Sequence, residues 1–236
     1  MRALLLAAGL GTRLRPLTNT IPKCLVPIQG KPLLEYWLIM LRKAEVFPIL
    51  INLHHKADTI RSFILDSPYG SIVSLVYEEK LLGTAGTLRK NQAFFGNEPM
   101  MLIHADNLSK FEVSAFIESH CNRPNNCDIT MMTFTCPTPQ TCGIVDVDNQ
   151  GIVQAFYEKV ENPPGNLANG AVYILEPSVV EFINSFTTEV IDFSTQILPH
   201  YMGRINTFHN KGYHRDIGTV DSLAIAQTEY SGSTTD

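Results

Sequence analysis

The stretch MRALLLAAGLGTRLRPLTNTIPKCLVP (residues 1–27) decides how the rest of the chain is read. Ala3 to Ala8 form an unbroken apolar run. A run with no polar face predicts a buried strand over residues 2–8. It breaks at once into Gly9-Leu10-Gly11-Thr12-Arg13, and Lys23 follows ten residues after Arg13, framed by Pro22 and Pro27. In an open α/β sheet, ligands collect at the carboxyl ends of the strands. Glycines there let backbone N–H groups approach a phosphate, and an arginine adds a forked donor for its oxygens. The spacing is neither of the common phosphate fingerprints. Leu14 stands where GxGxxG needs its third glycine, and GxxxxGK[ST] also fails.

The pattern outward from this stretch alternates strand and helix. A helix starts at Lys31-Pro32-Leu33, with proline in its first turn, and carries Leu34, Trp37, Leu38 and Leu41 at helical spacing. Strands follow at 46–53, 73–77 and 100–104, with helices at 58–65 and from Gly83-Thr84-Ala85-Gly86 to about residue 94. Such alternation predicts an α/β fold: a mostly parallel, Rossmann-like sheet with helices on both faces. The second half changes character, with expected strands at 128–134, 144–147, 153–158 and 170–175. Asp148-Asn149-Gln150-Gly151 reads as a hairpin turn, and helices are expected at 179–184 and 219–229, the latter capped by Thr219. One domain is expected over 1–230, with a nucleotide-binding part over about 1–110 and a smaller β-rich sugar-binding part over about 111–230, and a disordered tail at 231–236.

Composition narrows the function classes. The chain has 236 residues, 44% of them hydrophobic, enough to bury a substantial core. Its net charge of −5 argues against a nucleic-acid surface. No apolar run approaches the ~20 residues of a membrane helix, and Arg13 and Arg15 follow the first apolar stretch too closely for a secretion signal, so a cytoplasmic protein is expected. Cys24, Cys121, Cys127, Cys136 and Cys142 are odd in number and lack CxxC spacing, which predicts reduced, unligated thiols. His54 and His55 read as loop or capping residues, and no role is assigned to His104.

The longer string LAAGLGTRLRPLTNTIPKCLVPIQGKPLLEY resembles the N-terminal signature of the sugar-1-phosphate nucleotidylyltransferases, also called nucleotide-sugar pyrophosphorylases. The resemblance continues through LLGTAGTL, HADN, EKVENP (with Val160 where the family has proline), ANGAVYIL and YHRDIGT. It implies that a nucleoside triphosphate lies against Leu6, Ala8, Gly9, Gly11, Thr12, Gly83 and Thr84. Arg13 would hold the departing pyrophosphate and Lys23 the reacting phosphates. Asp106 and Asp216 would hold Mg²⁺, a hard cation that takes carboxylate and phosphate oxygens. Glu158, Asn169 and Gly170 would contact the sugar, and Lys159 the sugar phosphate. Adjacent residues on a strand face opposite ways, so Glu158 and Lys159 need a twist or bulge to meet one ligand.

The base and the sugar are read from two further features. By the family pattern the residue five before Gly83, Glu78, reads the base. Guanine presents two N–H donors side by side, which an ionised carboxylate accepts, whereas uracil and thymine offer one donor between carbonyls. GTP is therefore favoured over UTP or dTTP. DFSTQILP and GYHRDIGT resemble bacterial heptose-1-phosphate guanylyltransferases, with the mannose-1-phosphate enzymes close by. No β-helix repeat follows the last motif, so no added acetyltransferase or regulatory domain is expected; the oligomeric state is not readable. Two rivals stand beside this reading. A glycosyltransferase would want Asp-x-Asp after the fourth strand, where this chain has Asp106-Asn107-Leu108. A silent nucleotide-sugar sensor would be expected to lose Arg13, Lys23 or an aspartate, and all are present.

Overall fold

The opening strand β1 (Arg2–Leu6) lies between two parallel neighbours in the middle of the main sheet, as a run without a polar face requires. The computed structural model describes residues 1–230; the expected tail at 231–236 lies outside the described residues. After β1 the chain forms a two-stranded ribbon, β2 (Pro27–Ile28) and β3 (Lys31–Pro32), then α1 (Leu33–Lys43), β4 (Ile49–Leu53), α2 (Ala57–Leu65) and β5 (Val73–Tyr77). Next come α3 (Thr84–Lys90), α4 (Gln92–Phe95), β6 (Met100–His104), β7 (Asn107–Lys110) and α5 (Val113–Cys121). The rest is β8 (Ile129–Thr135), β9 (Gly143–Val147), β10 (Val153–Glu158), β11 (Leu167–Leu175), α6 (Pro177–Ile183), β12 (Ile205–His209), β13 (Tyr213–Asp216) and α7 (Val220–Glu229).

The main sheet runs β10-β9-β11-β6-β1-β4-β5, with β8 joined to β11 and β12 to β8. β1, β4, β5 and β6 are mutually parallel, the expected βαβ layout. β11 enters antiparallel to β6 and carries the antiparallel β9–β10 hairpin beyond it. Both faces are covered. Ala3 and Leu5 of β1 pack into one core with Ile51, Ile103 and Trp37, while Leu4 packs into the other with Leu50, Leu102, Tyr173 and Phe193. Alternate side chains of one strand therefore feed two separate cores. No helix among the described residues is long and apolar enough to cross a membrane.

Local chemistry accounts for several boundaries that pattern reading misplaced. The first helix starts at Leu33, because Pro32 is extended at its N-cap and pairs with Pro27 in the ribbon. The helix after Gly83 breaks at Asn91, whose side-chain amide donates to the Thr87 carbonyl at 2.8 Å and competes with the helical ladder. β11 begins at Leu167, three residues before the expected start, and carries a register shift between Asn169 and Tyr173. The Asp148 turn forms as expected: Oδ1 accepts from the N–H groups of Gln150 and Ile152, and Gly151 has φ 78. Thr219 caps α7 by accepting from the Ser222 N–H. β7, β12 and β13 are short and carry no clear period, and the sequence reading does not include them; nor does it include α5, although Val113, Phe116, Ile117 and His120 fall at helical spacing.

β7 and β13 matter most for the site. They pair antiparallel with Asn107 opposite Asp216, which carries residue 216 back to the end of β6. The Trp37 indole N–H donates to the Asn107 carbonyl at 2.8 Å and fixes this turn against α1.

His120 of α5 is buried between Thr130 and Glu176, with ring nitrogens 2.8 Å and 3.1 Å from their side-chain oxygens. Burial, helped by the nearby Arg123 guanidinium, pushes its pKa down to about 4. The folded chain thus binds fewer protons than the unfolded chain between pH 4 and 6.5. This stability is complete above the unfolded value and is lost as pH falls toward the folded one. Unfolding free energies from urea titration should fall from pH 7 to pH 5, by up to about 1.4 kcal/mol per pH unit from this residue. His120→Gln should flatten that slope; equal slopes in both proteins would contradict the assignment.

Candidate active site

The site is built where β1, β4 and β6 end. The loop leaving β1 is tied down first: the Ala7 N–H donates to Asn52 Oδ1 at 2.8 Å. Gly11 takes the left-handed conformation, φ 63, and its carbonyl accepts from the Thr18 hydroxyl at 2.7 Å. A Cβ there would come within 2.9 Å of Thr18 Cγ2, so both backbone and space demand glycine. Gly9 has nothing within 4 Å of its Cβ position and leaves the loop open to a ligand. The one-turn 3-10 helix Thr12–Leu14 then carries Arg13, and a second, Lys23–Leu25, carries Lys23.

Three charged groups from distant parts of the chain meet at Lys23. Its ammonium donates to Asp106 Oδ2 at 2.8 Å and to Asp216 Oδ1 at 3.2 Å, although Lys23 is only 7% exposed. Arg13 reaches Asp216 Oδ2 at 3.7 Å from the solvent side. Burial would raise the pKa of Asp106, but the Lys23 charge and hydrogen bond, with His104, outweigh it and hold the carboxyl below its usual range. Gly218 makes room for the pair, since a Cβ there would fall 2.6 Å from Asp216 Oδ2 and 2.8 Å from the Arg13 guanidinium.

A cavity of about 210 Å³ opens beside this cluster. Of the expected nucleotide contacts, Leu6, Ala8, Gly9, Glu78, Gly83 and Thr84 line it, as do Lys23 and Asp106. Gly11, Thr12, Arg13 and Asp216 lie outside its wall. Glu78 is 1% exposed; its Oε1 accepts from the Thr87 hydroxyl at 2.6 Å and from the Asn52 amide at 3.2 Å. Its Oε2 is buried with no partner among the described residues. Bidentate acceptance by Glu78, the arrangement expected for guanine, therefore has one oxygen free and one already held. Cys24 also lines the cavity, but burial pushes its thiol up to about 12, so it is no nucleophile near neutral pH.

The Gly83–Gly86 loop is held by the segment just before Phe193. The Thr84 hydroxyl accepts from the Phe193 N–H at 2.6 Å. Gly83 has φ 74, and a Cβ on it would lie 2.5 Å from the Ile191 carbonyl oxygen; one on Gly86 would lie 2.9 Å from that of Glu189. These glycines are needed for close backbone packing, and Thr84 is a wall rather than a free donor.

The expected sugar contacts lie on β11 and at the end of β10 beyond it. Glu158 ends β10, and Lys159 has φ 51, which supplies the backbone break that two neighbours need to face one way; Lys159 Nζ is 3.3 Å from Glu158 Oε1. Asn169 is engaged in the β11 irregularity, donating to the Tyr173 hydroxyl at 2.6 Å and accepting from the Ala171 N–H at 2.9 Å. Gly170 lets β8 approach, since a Cβ would meet Met132 Cε at 2.5 Å. His214 is 3.6 Å from that same position through Cε1, bonds Ser109 at 2.6 Å and lies against Phe134, its ring centroid 4.2 Å away; burial pushes its pKa down to about 3.

Sequence reading missed Asn52, Thr87 and the site position of His104; it places His214 only as preceding Asp216 on the sugar side, with no committed role. Asn52 had a signal, since it is the one polar residue of the buried strand ILINL. Thr87 sits inside a short helix and gave none. His54 has the loop role expected of it, with Nδ1 2.8 Å from the Glu78 carbonyl oxygen. All five cysteines are free thiols, with the Cys136 and Cys142 sulfurs 2.9 Å apart. Among the described residues no group of three His, Cys, Asp or Glu side chains could hold a metal. A cation here would have two carboxylates and draw its remaining oxygens from ligand phosphates and water, the usual habit of Mg²⁺.

A family model described as nucleotidyl transferase matches residues 2–232. The chain is 35% identical over 201 residues to a UTP–glucose-1-phosphate uridylyltransferase of Synechocystis, covering 78% of this chain and 51% of the relative. It is 29% identical over 226 residues to a mannose-1-phosphate guanylyltransferase of Mycobacterium tuberculosis, covering 94% and 62%. The chain thus spans about half the length of the first relative and three-fifths of the second. Among solved structures, HddC from Yersinia pseudotuberculosis, complexed with GMP-PN, superposes with a TM-score of 0.79 at 29% identity, covering 96% of this chain and 97% of that one.

The two glycine roles can be separated by measurement. Gly83→Ala forces a Cβ against backbone and should lower stability by roughly 1–3 kcal/mol, whereas Gly9→Ala, with open space, should unfold within a few tenths of wild type. Equal thermal midpoints for the two variants would contradict the packing account of Gly83.

Proposed function

The chain belongs to the nucleotidyl transferase family, and from that premise we propose that it joins a nucleoside triphosphate to a sugar 1-phosphate, giving a nucleoside-diphosphate sugar and pyrophosphate. The observation that carries the reading is Lys23, buried between Asp106 and Asp216 at the carboxyl edge, with the glycine loop and the cavity beside it. In the reaction, an oxygen of the sugar phosphate attacks the α-phosphorus in line, and the bond to the β-phosphate oxygen breaks. Two polyanions must meet, so catalysis is mainly positioning and charge neutralisation. The attacking phosphate is already ionised near neutral pH, and no general base is required. Arg13 faces the departing pyrophosphate from the open side, and Lys23 faces the reacting phosphates.

Asp106 and Asp216 are the residues that would hold Mg²⁺. Their chemistry fits: one oxygen from each already meets a single cation, the Lys23 ammonium. When bound, Mg²⁺ supplies positive charge shared among phosphate oxygens. Glu158 and Lys159, turned together by the left-handed backbone of Lys159, take the sugar hydroxyls and sugar phosphate, with Asn169 and Gly170 on the adjoining strand.

GTP is the proposed triphosphate. The free Oε2 of Glu78 is an acceptor inside the cavity, and guanine offers donors where uracil offers one flanked by carbonyls. The guanylyltransferase relative and the GMP-PN complex of HddC support this choice; the proposed sugar is mannose, as in that relative, or heptose, from the resemblance of DFSTQILP and GYHRDIGT. UTP is the second reading, favoured by the 35% identity to a uridylyltransferase.

Pyrophosphate release should be measured with GTP, UTP and dTTP against mannose, heptose and glucose 1-phosphates, in wild type and in Glu78→Gln. GTP with mannose or heptose 1-phosphate should be the best pair. Glu78→Gln should lower kcat/KM for GTP by about one to two decades, because an amide N–H then faces a guanine N–H and an unpaired buried group costs ~1–3 kcal/mol. UTP should gain relative to GTP. No release with any pair would overturn the transferase reading. An unchanged GTP/UTP ratio would remove Glu78 from the base pocket.

A further inference from the structure

Two buried side-chain polar atoms lack a hydrogen-bond partner among the described residues, Glu78 Oε2 and His104 Nε2. Both residues line the same cavity. Buried polar atoms in folded proteins are nearly always paired, so two orphans facing one cavity point to groups that a ligand supplies. Glu78 is accounted for by the base. His104 is not used by any step above.

From this placement we infer that His104 is a nucleotide contact, its Nε2 taking a hydrogen bond with a ribose hydroxyl of the bound triphosphate. The inference rests on the nucleotide reading of the cavity. The sheet register sets the distance: Leu6 pairs with Asn52 on one side and with His104 on the other, and β5, which precedes Glu78, is the next strand past β4. Glu78 and His104 therefore stand about three strand spacings of ~4.8 Å apart along the carboxyl edge. A base edge at Glu78 excludes His104 as a second base reader. His104 also lies two residues before Asp106 on the same strand end, where the phosphates are placed. The part of a nucleotide between base and phosphates is its ribose.

The chemistry of the atom agrees with the position. An imidazole nitrogen is a donor in one tautomer and an acceptor in the other. A phosphate oxygen satisfies only the donor form. A hydroxyl both donates and accepts, so it satisfies Nε2 in either. His104 falls on the same strand face as Leu102, the side covered by α3 and Phe193, so the ring enters the cavity from beneath the ligand.

The test is equilibrium binding of GTP and UTP with Mg²⁺, each compared with its 2′-deoxy and 3′-deoxy analogues, in wild type, His104→Leu and His104→Gln. Pyrophosphate release is followed in parallel, so that loss of the transferase reading and loss of this contact are separate results. In wild type, removing one of the two hydroxyls should weaken binding about ten- to a hundredfold. His104→Leu should weaken the ribonucleotide by a similar factor and bind the deoxy analogue no worse than the ribonucleotide, while His104→Gln, which keeps a polar tip, should restore part of the preference. The thermal midpoint of His104→Leu should match or exceed wild type, because it removes an orphaned buried atom. The same ribose preference in His104→Leu as in wild type would overturn the contact, as would no preference, or no nucleotide binding, in wild type.

Discussion

The Lys23 ammonium, held between the carboxylates of Asp106 and Asp216, is the interaction on which the site depends. Two carboxylates within reach of one point repel each other unless a cation lies between them. Lys23 satisfies that condition within the protein alone, and so fixes where the loop after β1, the end of β6 and the end of β13 must meet. The supporting structure follows from the same demand. The β7–β13 ladder carries Asp216 across, Trp37 clamps the Asp106–Asn107 turn, and Gly218 keeps the space between Asp216 and Arg13 free of a side chain. A lysine that is 7% exposed is costly to bury unless paired; losing both aspartates would strand its charge, whereas either one alone still pairs it.

The cavity beside the cluster divides its polar groups into two kinds. Some are committed to the protein: Thr84 to the Phe193 N–H, Asn52 to Ala7 and Glu78, Thr87 to Glu78. These hold the walls. The others, Glu78 Oε2 and His104 Nε2, have nothing to bond in the protein and are available to what enters. The left-handed turn at Lys159 does the corresponding work beyond β11, where it brings an acid and a base from one strand end to the same side.

Much of this was legible in the sequence because it rests on backbone constraints. The parallel strands read as unbroken apolar runs, since a doubly covered strand has no solvent face. The glycine loop, Lys23 and both aspartates read as motifs, and the structure brings Arg13, Lys23, Asp106 and Asp216 within 4 Å of one another in sequence-distant pairs. What stayed hidden depends on partners far along the chain. β7 and β13 are too short and polar to show a period, and only their pairing explains them. Gly83 reads as a ligand-contact glycine, yet its lack of a side chain is demanded by Ile191, and that of Gly86 by Glu189, about a hundred residues later. His104 gave no signal, because its significance lies in a missing partner, which only coordinates reveal.

The central claim is that Lys23, together with the Mg²⁺ that Asp106 and Asp216 would hold, neutralises the charge of two reacting anions. The most direct test is the Mg²⁺ dependence of pyrophosphate release in wild type, Asp106→Asn and Asp216→Asn, with folding checked by thermal midpoint. The account predicts that both variants stay folded and that turnover collapses in each, even at saturating Mg²⁺, because an amide brings no charge to replace the carboxylate. Near-normal turnover at saturating Mg²⁺ in either variant would contradict it.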